Sequence, residues 1–321
     1  MMTLKPLMGA LALGTLLAAG QAHALTVYTA GPAGLIKQLA DDFKKETGVA
    51  VEVFQADTGK VMARLEAEAS NPKADVVISA SWDSALDLDK RGWLLPYASP
   101  NAAQVPAAYK GPSYVAQGMS ALAIAWNAKS GTPRPADWND LTKPEFKDLV
   151  NMPDPAQSGT ALELLSGLQS ARGDQAWQLF QDLKGNGMAI AGANAQAMNP
   201  VLQGAKAAVF GAVDYVALDS QAKGEAIEVI FPASGTVVAG RPMMILKSSQ
   251  HQQDAKRFID FVLSDAGQAR VAATYLIPAR QDVKAKRPVI KEIKSLPMEN
   301  EAQRAGRQSL LARFSALFGR K

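Results

Sequence analysis

The chain has 321 residues, 48% of them hydrophobic and 20% charged, with 25 Gly and 18 Pro, which excludes a disordered, collagen-like or coiled-coil protein. It contains no cysteine, so disulfides, thiolate metal sites, cysteine nucleophiles and a lipid-anchored N-terminal Cys are all excluded. At ~150 residues per domain the length suggests about two domains, each able to bury a core.

The only two histidines are His23 and His251, too few for a Ser-His-Asp triad or a two-histidine metal site once the leader is removed. His251 lies in a polar turn and is expected to be solvated. The net charge of +4 divides unevenly. Residues 283–321 carry +7 and residues 25–282 carry −4, so no basic stripe follows a nucleic-acid backbone on the folded body.

In chain order, residues 1–24 offer one Lys, an apolar run from Leu7 to about Ala19 and the small-residue ending Ala22-His23-Ala24, the layout of a secretory signal peptide. The run is too short and glycine-broken for a membrane span. Export without cysteine points to a bacterial periplasm. The mature chain then alternates predicted strands and helices: strand 26–29, helix 34–47, strand 49–54, helix 60–69, strand 75–79. Leu35, Leu39 and Phe43 give the first helix one buried face, and Gly48 caps its end. Val49-Ala50-Val51 and Val76-Val77-Ile78 read as strands covered on both faces. This is βαβαβ.

A second α/β set follows: strand 122–126, a turn at Pro133-Arg134-Pro135, strand 148–152, helix 160–171, strand 188–191, a short helix at 198–203, strand 207–210 and a helix from 215 to 223. Strand 227–231 precedes the loop Pro232-Ala233-Ser234-Gly235-Thr236, then come strand 243–246 and helix 253–263. The tail shows amphipathic spacing at Leu310, Leu311, Phe314, Leu317 and Phe318, a helix packed on a lobe.

Three stretches carry a resemblance: Leu25-Thr26-Val27-Tyr28-Thr29-Ala30 running into Phe43-Lys44-Lys45-Glu46-Thr47-Gly48-Val49, then Ala74-Asp75-Val76-Val77-Ile78-Ser79, then residues 255–268, Ala-Lys-Arg-Phe-Ile-Asp-Phe-Val-Leu-Ser-Asp-Ala-Gly-Gln. Over residues 25–280 the chain resembles the periplasmic solute-binding proteins of ABC importers, in the type II group that binds ferric iron, phosphonates and phosphorylated metabolites. The resemblance implies two α/β lobes, each a mostly parallel sheet flanked by helices, with two hinge crossings near residues 118–125 and 231–240. Lobe 1 would comprise 25–120 plus 237–282, lobe 2 would comprise 121–236, and 283–321 would be a basic helical tail. A small anionic solute would sit in the interlobe cleft, the lobes would close by hinge motion, and a monomer without cofactor would deliver the solute to a permease in the inner membrane.

In open α/β sheets ligands bind beyond the carboxyl ends of the strands, where loops enter helices. The candidate ligand-binding residues are therefore Ala30 and Gly31, Thr58 and Gly59, Ser79, Ser81 and Trp82, and Ser158, Gly159 and Thr160. Small residues and hydroxyls at helix starts suit an oxyanion held by main-chain amides, with no lysine or arginine required. Simple N-capping by Thr58 or Ser81 is the competing explanation. Asp214 and Tyr215 complete the candidates. Ferric-binding relatives typically carry adjacent tyrosines at this place, so a ferric ion on Tyr215 with Asp214 and a bound anion is the alternative to a phosphorylated or phosphonate metabolite. Helix capping by Asp214 is a third reading. An exported hydrolase is the minor alternative, because no carboxylate pair stands at acid/base spacing, and Glu66 and Glu68 belong to a charged helix face.

Overall fold

The computed structural model describes residues 24–297, 299 and 301–319; the predicted leader, through residue 23, lies outside them. In chain order the elements are β1 (Leu25–Thr29), α1 (Ala33–Thr47), β2 (Val51–Gln55), α2 (Thr58–Ala67), β3 (Val76–Ile78), α3 (Trp82–Lys90), β4 (Tyr114–Asn127), β5 (Val150–Pro153), α4 (Gly159–Arg172), α5 (Asp174–Gly185), β6 (Ala189–Ala191), α6 (Asn194–Leu202), β7 (Ala208–Val213), α7 (Asp214–Ala222), β8 (Ile227–Ile230), β9 (Val238–Ile245), α8 (Gln252–Val262), α9 (Asp265–Ala273), β10 (Ile277–Pro278), α10 (Glu301–Ala305) and α11 (Arg307–Leu317). None of the described helices is long and apolar enough to cross a membrane.

Two sheets share the long strand β4. Its first half, from Tyr114 to Ala121, pairs antiparallel with β9, which continues through β3 to the parallel strands β1 and β2. Its second half, from Leu122, pairs antiparallel with β7 and β8, and β7 continues in parallel to β5 and β6. The chain returns beside this handover: Leu122 N–H donates to Val237 O at 3.0 Å, and Val238 opens β9 opposite Ala121. Two adjacent, hydrogen-bonded crossings therefore join the lobes. The tail adds a third segment, since Thr236 N–H donates to Lys294 O and Leu296 N–H to Thr236 O.

Each lobe has its own core. α1 buries Leu35, Leu39 and Phe43 as its spacing predicts, and Phe43 meets Phe258 and Phe261 of α8 at ring distances of 5.2 and 5.6 Å. Gly48 ends α1 at φ 77°, a left-handed conformation that glycine adopts without steric cost. In the second lobe Phe180 of α5 packs on Phe210 of β7 and on Phe314 of α11. Phe314 is fully buried, and burying such a side chain is worth ~1.5–3 kcal/mol. The tail thus completes a core in addition to lying on it.

The prediction started β4 at 122 and β9 at 243, eight and five residues late. Pro242 explains the second shortfall: a proline cannot donate to a ladder, yet it sits here at a register shift where β4 bulges between Ala116 and Gly118. His251 is another correction. Its Nδ1 lies 3.2 Å from the buried Asp75 carboxylate, which also accepts from Thr26 N–H and Ser249 Oγ.

Candidate functional site

The carboxyl ends of β1, β2 and β3 lead into the starts of α1, α2 and α3, and those of β5 and β7 lead into α4 and α7. Asp57 caps α2 by accepting from Lys60 N–H at 2.8 Å, and Ser158 caps α4 by accepting from Ala161 N–H at 3.2 Å. These caps aim the helix starts at one another across the lobes. A Cβ built on Gly159 would stand 3.0 Å from Ser81 Cβ and 3.7 Å from Thr58 Oγ1. The starts of α2, α3 and α4 therefore meet, and a glycine at the tightest point is what lets them do so.

The remaining candidates divide by what they touch. Ser158 Oγ and Thr160 Oγ1 lie 3.0 Å apart and both reach Asn194, at the start of α6. Ser79 Oγ is held inside its own turn, accepting from Ser81 N–H and bonded to Ser84 Oγ. Gly59 is exposed, and its nearest neighbour beyond the adjacent residues is Asp57. Trp82 contributes its backbone, donating N–H to Glu163 Oε1 at 2.8 Å, while its ring packs against Tyr109 and Tyr114. Gly31 N–H donates to Thr29 Oγ1 and Gly31 O accepts from Gln55 Nε2.

Asp214 occupies a different environment from the one expected. It is fully buried in an ion pair with Arg287 of the tail at 2.6 Å. Its Oδ2 also accepts from Ala121 N–H at the crossing, and its Oδ1 from Tyr215 N–H. Arg287 in turn donates to Tyr275 O of the first lobe. The pair ties hinge, tail and both lobes together. Burial pushes the Asp214 carboxyl upward, against the opposing pull of Arg287.

Four groups escaped the sequence reading. Glu163 of α4 is buried where it bridges the lobes, accepting from Trp82 N–H and bonded to the Ser81 hydroxyl, and burial pushes its carboxyl up to about 7. Nearby, Arg307 of the tail contacts Asp83 of α3, Glu299 and Ser166 of α4. Asn194 links the α4 cap to α6. The fourth is Arg241, which is 1% exposed; its Nη2 donates to Ala30 O at 2.7 Å and its Cζ lies 5.7 Å from the centre of the Tyr215 ring. Met243 pairs with Ile78 at the end of β3, so Arg241, two residues earlier on the antiparallel β9, projects past the carboxyl end of the parallel strands. A buried cationic side chain therefore stands against the β1 loop, where the sequence reading expected main-chain amides alone. The signal was present: one arginine in the apolar run Val237-Val238-Ala239-Gly240-Arg241-Pro242-Met243-Met244, and one carboxylate in Ala161-Leu162-Glu163-Leu164-Leu165, both in segments that read as buried.

The model of the bacterial extracellular solute-binding proteins matches residues 71–301. The chain belongs to this family. It is 24% identical over 252 residues to a putative 2-aminoethylphosphonate-binding periplasmic protein of Salmonella typhimurium, covering 76% of this chain and 73% of that one. It is 26% identical over 272 residues to an Fe(3+)-binding periplasmic protein of Serratia marcescens, covering 78% and 77%. Its fold matches the periplasmic binding protein AfuA of Actinobacillus pleuropneumoniae, solved with fructose-6-phosphate, at a TM-score of 0.82 and 23% identity over 92% of this chain and 98% of that one. The two-lobe α/β architecture and the role of a binding protein, as opposed to an enzyme, stand as read from the sequence.

Proposed function

We propose that the protein captures a small phosphorylated or phosphonate solute in the interlobe cleft, in the periplasm, and delivers it to the membrane permease of an ABC importer. The observation that carries this reading is the meeting of Thr58, Ser81 and Gly159, which brings three helix N-termini from both lobes to one place. Helix starts offer free N–H groups and the positive end of the dipole, each contributing ~0.3–1 kcal/mol toward an anion and up to ~2 when partly buried. Arg241 adds a full positive charge beside Ala30 and Tyr215. A relative named as a putative 2-aminoethylphosphonate-binding protein and a fold neighbour solved with fructose-6-phosphate support an anion of this class.

The ferric alternative retains Tyr215 and an iron-binding relative. It loses Asp214, both of whose oxygens are engaged, by the Arg287 guanidinium and by the backbone N–H groups of Ala121 and Tyr215. It also places a guanidinium close to the phenol that would have to ligate a trivalent cation. Titration calorimetry with 2-aminoethylphosphonate, fructose 6-phosphate and ferric citrate separates the readings. Saturable 1:1 heat with either organic anion is expected. A visible tyrosinate-to-iron band on adding ferric citrate, absent in Tyr215→Phe, would reverse the assignment.

A further inference from the structure

Buried polar side-chain atoms are paired in folded proteins, and each exception calls for a reason. Three of the six unpartnered buried side-chain atoms among the described residues, Arg241 Nε, Gln117 Oε1 and Ser120 Oγ, lie on the two crossing strands β4 and β9. Arg241 pairs with Gly118 and Ala239 with Ser120, so these three residues belong to one short stretch of one ladder. Gln117 is the extra residue of the bulge, which turns its side chain toward the β1 loop: Gln117 Oε1 is 3.9 Å from where a Cβ on Gly31 would sit. Arg241 reaches the same loop through its bond to Ala30 O. Both side chains are almost wholly buried, at 1% and 2% exposure, and Arg241 forms no ion pair among the described residues. Asp214, the buried carboxylate bonded to Ala121 N–H at the crossing, is already paired with Arg287.

An arginine and a glutamine held this way are costly to the fold. A buried guanidinium without a counter-charge loses hydration that one carbonyl bond does not restore. Their retention beside the cleft loop is explained if they meet a partner that arrives only when the lobes close on it. We propose that Arg241 and Gln117 read the solute. An anionic oxygen of the solute accepts from Arg241 Nε–H, and a hydroxyl or ammonium group of the same solute donates to Gln117 Oε1. The site thus selects a phosphonate or phosphate ester that also carries a hydrogen-bond donor, over an anion that lacks one. This assignment rests on the cleft being the solute site, as proposed above.

The test compares the full mature chain with Arg241→Met, Arg241→Lys and Gln117→Leu, measured by calorimetry against 2-aminoethylphosphonate and ethylphosphonate, and by thermal melting without any added solute. Wild type is expected to bind 2-aminoethylphosphonate about 10-fold or more tightly than ethylphosphonate. Arg241→Met should weaken both by about 10- to 100-fold, the scale of a charge-assisted bond, and Arg241→Lys should recover only part of that loss because lysine cannot offer the Nε–H fork. Gln117→Leu should erase the preference for the amino compound while leaving ethylphosphonate unchanged. Without solute, Arg241→Met should melt at or above the wild-type temperature, since the arginine is no asset to the empty fold. A lower melting temperature in Arg241→Met with unchanged affinities would overturn the proposal and make Arg241 structural. If wild type binds neither phosphonate, the cleft reading fails for this class, and the solute-free melting comparison still decides whether Arg241 serves the fold.

Discussion

Gly159→Ala is the sharpest perturbation the geometry offers, because its two effects have opposite signs. The added methyl would stand 3.0 Å from Ser81 Cβ, across the lobe boundary. Carbon atoms pack best at ~3.5–4.0 Å, so the lobes must part by ~0.5–1 Å or distort the start of α4. Overpacking of this kind costs ~1–3 kcal/mol, which converts to ~5- to 150-fold weaker binding if the clash exists only in the closed form. The same substitution removes a helix-disfavouring glycine from α4 and gains up to ~1 kcal/mol for the fold. Calorimetry with 2-aminoethylphosphonate and fructose 6-phosphate should therefore show lost affinity while the solute-free melting temperature holds or rises. Small-angle scattering should show that the wild type compacts on saturation and the variant does not. An unchanged affinity and an identical degree of compaction would refute the claim that Gly159 marks the contact between closed lobes.

Other expectations follow from the buried charges and the tail. Asp214→Asn or Arg287→Met should each destabilise the protein by ~3–5 kcal/mol, because each leaves a buried partner uncompensated, and the double substitution should cost less than the sum; chemical denaturation of the set checks this. Glu163 gives a pH signature. Its carboxyl is raised from 4.5 to about 7 by burial, with Arg307, Asp83, the Trp82 N–H and the Ser81 hydroxyl facing it. A raised carboxyl favours the folded form below its unfolded value and loses that advantage as pH climbs through the folded one. Melting from pH 4.5 to 7.5 should accordingly show a decline in wild type worth up to ~3 kcal/mol that Glu163→Gln lacks, and parallel profiles would count against it. Phe314→Ala should cost ~3–5 kcal/mol by opening the cluster with Phe180, and a loss under 1 kcal/mol would show the tail to be dispensable.

Much of this fold was legible because its signals are local. The i, i+4, i+8 face of α1, the Gly48 cap and the buried apolar strand at 76–78 each follow from spacing alone, whereas residues 49 and 50 precede β2, an edge strand with an exposed Val53 that is not covered on both faces. What was hidden depends on distant partners. β4 looked short because Gln117, Gly118 and Ser120 interrupt an apolar run, and only the bulge opposite Pro242 makes those residues part of a strand. The helix starts were readable as caps, and the sequence placed Thr58, Ser81 and Gly159 on three separate loops. That they meet is a property of two lobes facing each other. Asp214 looked like a ligand because its neighbour is a tyrosine at the start of a helix, whereas its partner Arg287 lies 73 residues away in a tail that carried no motif. Arg241 and Glu163 could have been found by asking why a charge stands inside a segment otherwise fit only for burial. The basic tail, read as a helix packed on a lobe with a solvated face, also places two of its cations, Arg287 and Arg307, against carboxylates of the body.

The most direct measurement is native mass spectrometry of the mature protein after incubation with a mixture of 2-aminoethylphosphonate, fructose 6-phosphate and ferric citrate. A 1:1 adduct with a phosphorus-bearing organic anion is expected, released on denaturation and reduced in Arg241→Met. An adduct of iron alone, or no adduct with any member of the mixture, would contradict that expectation.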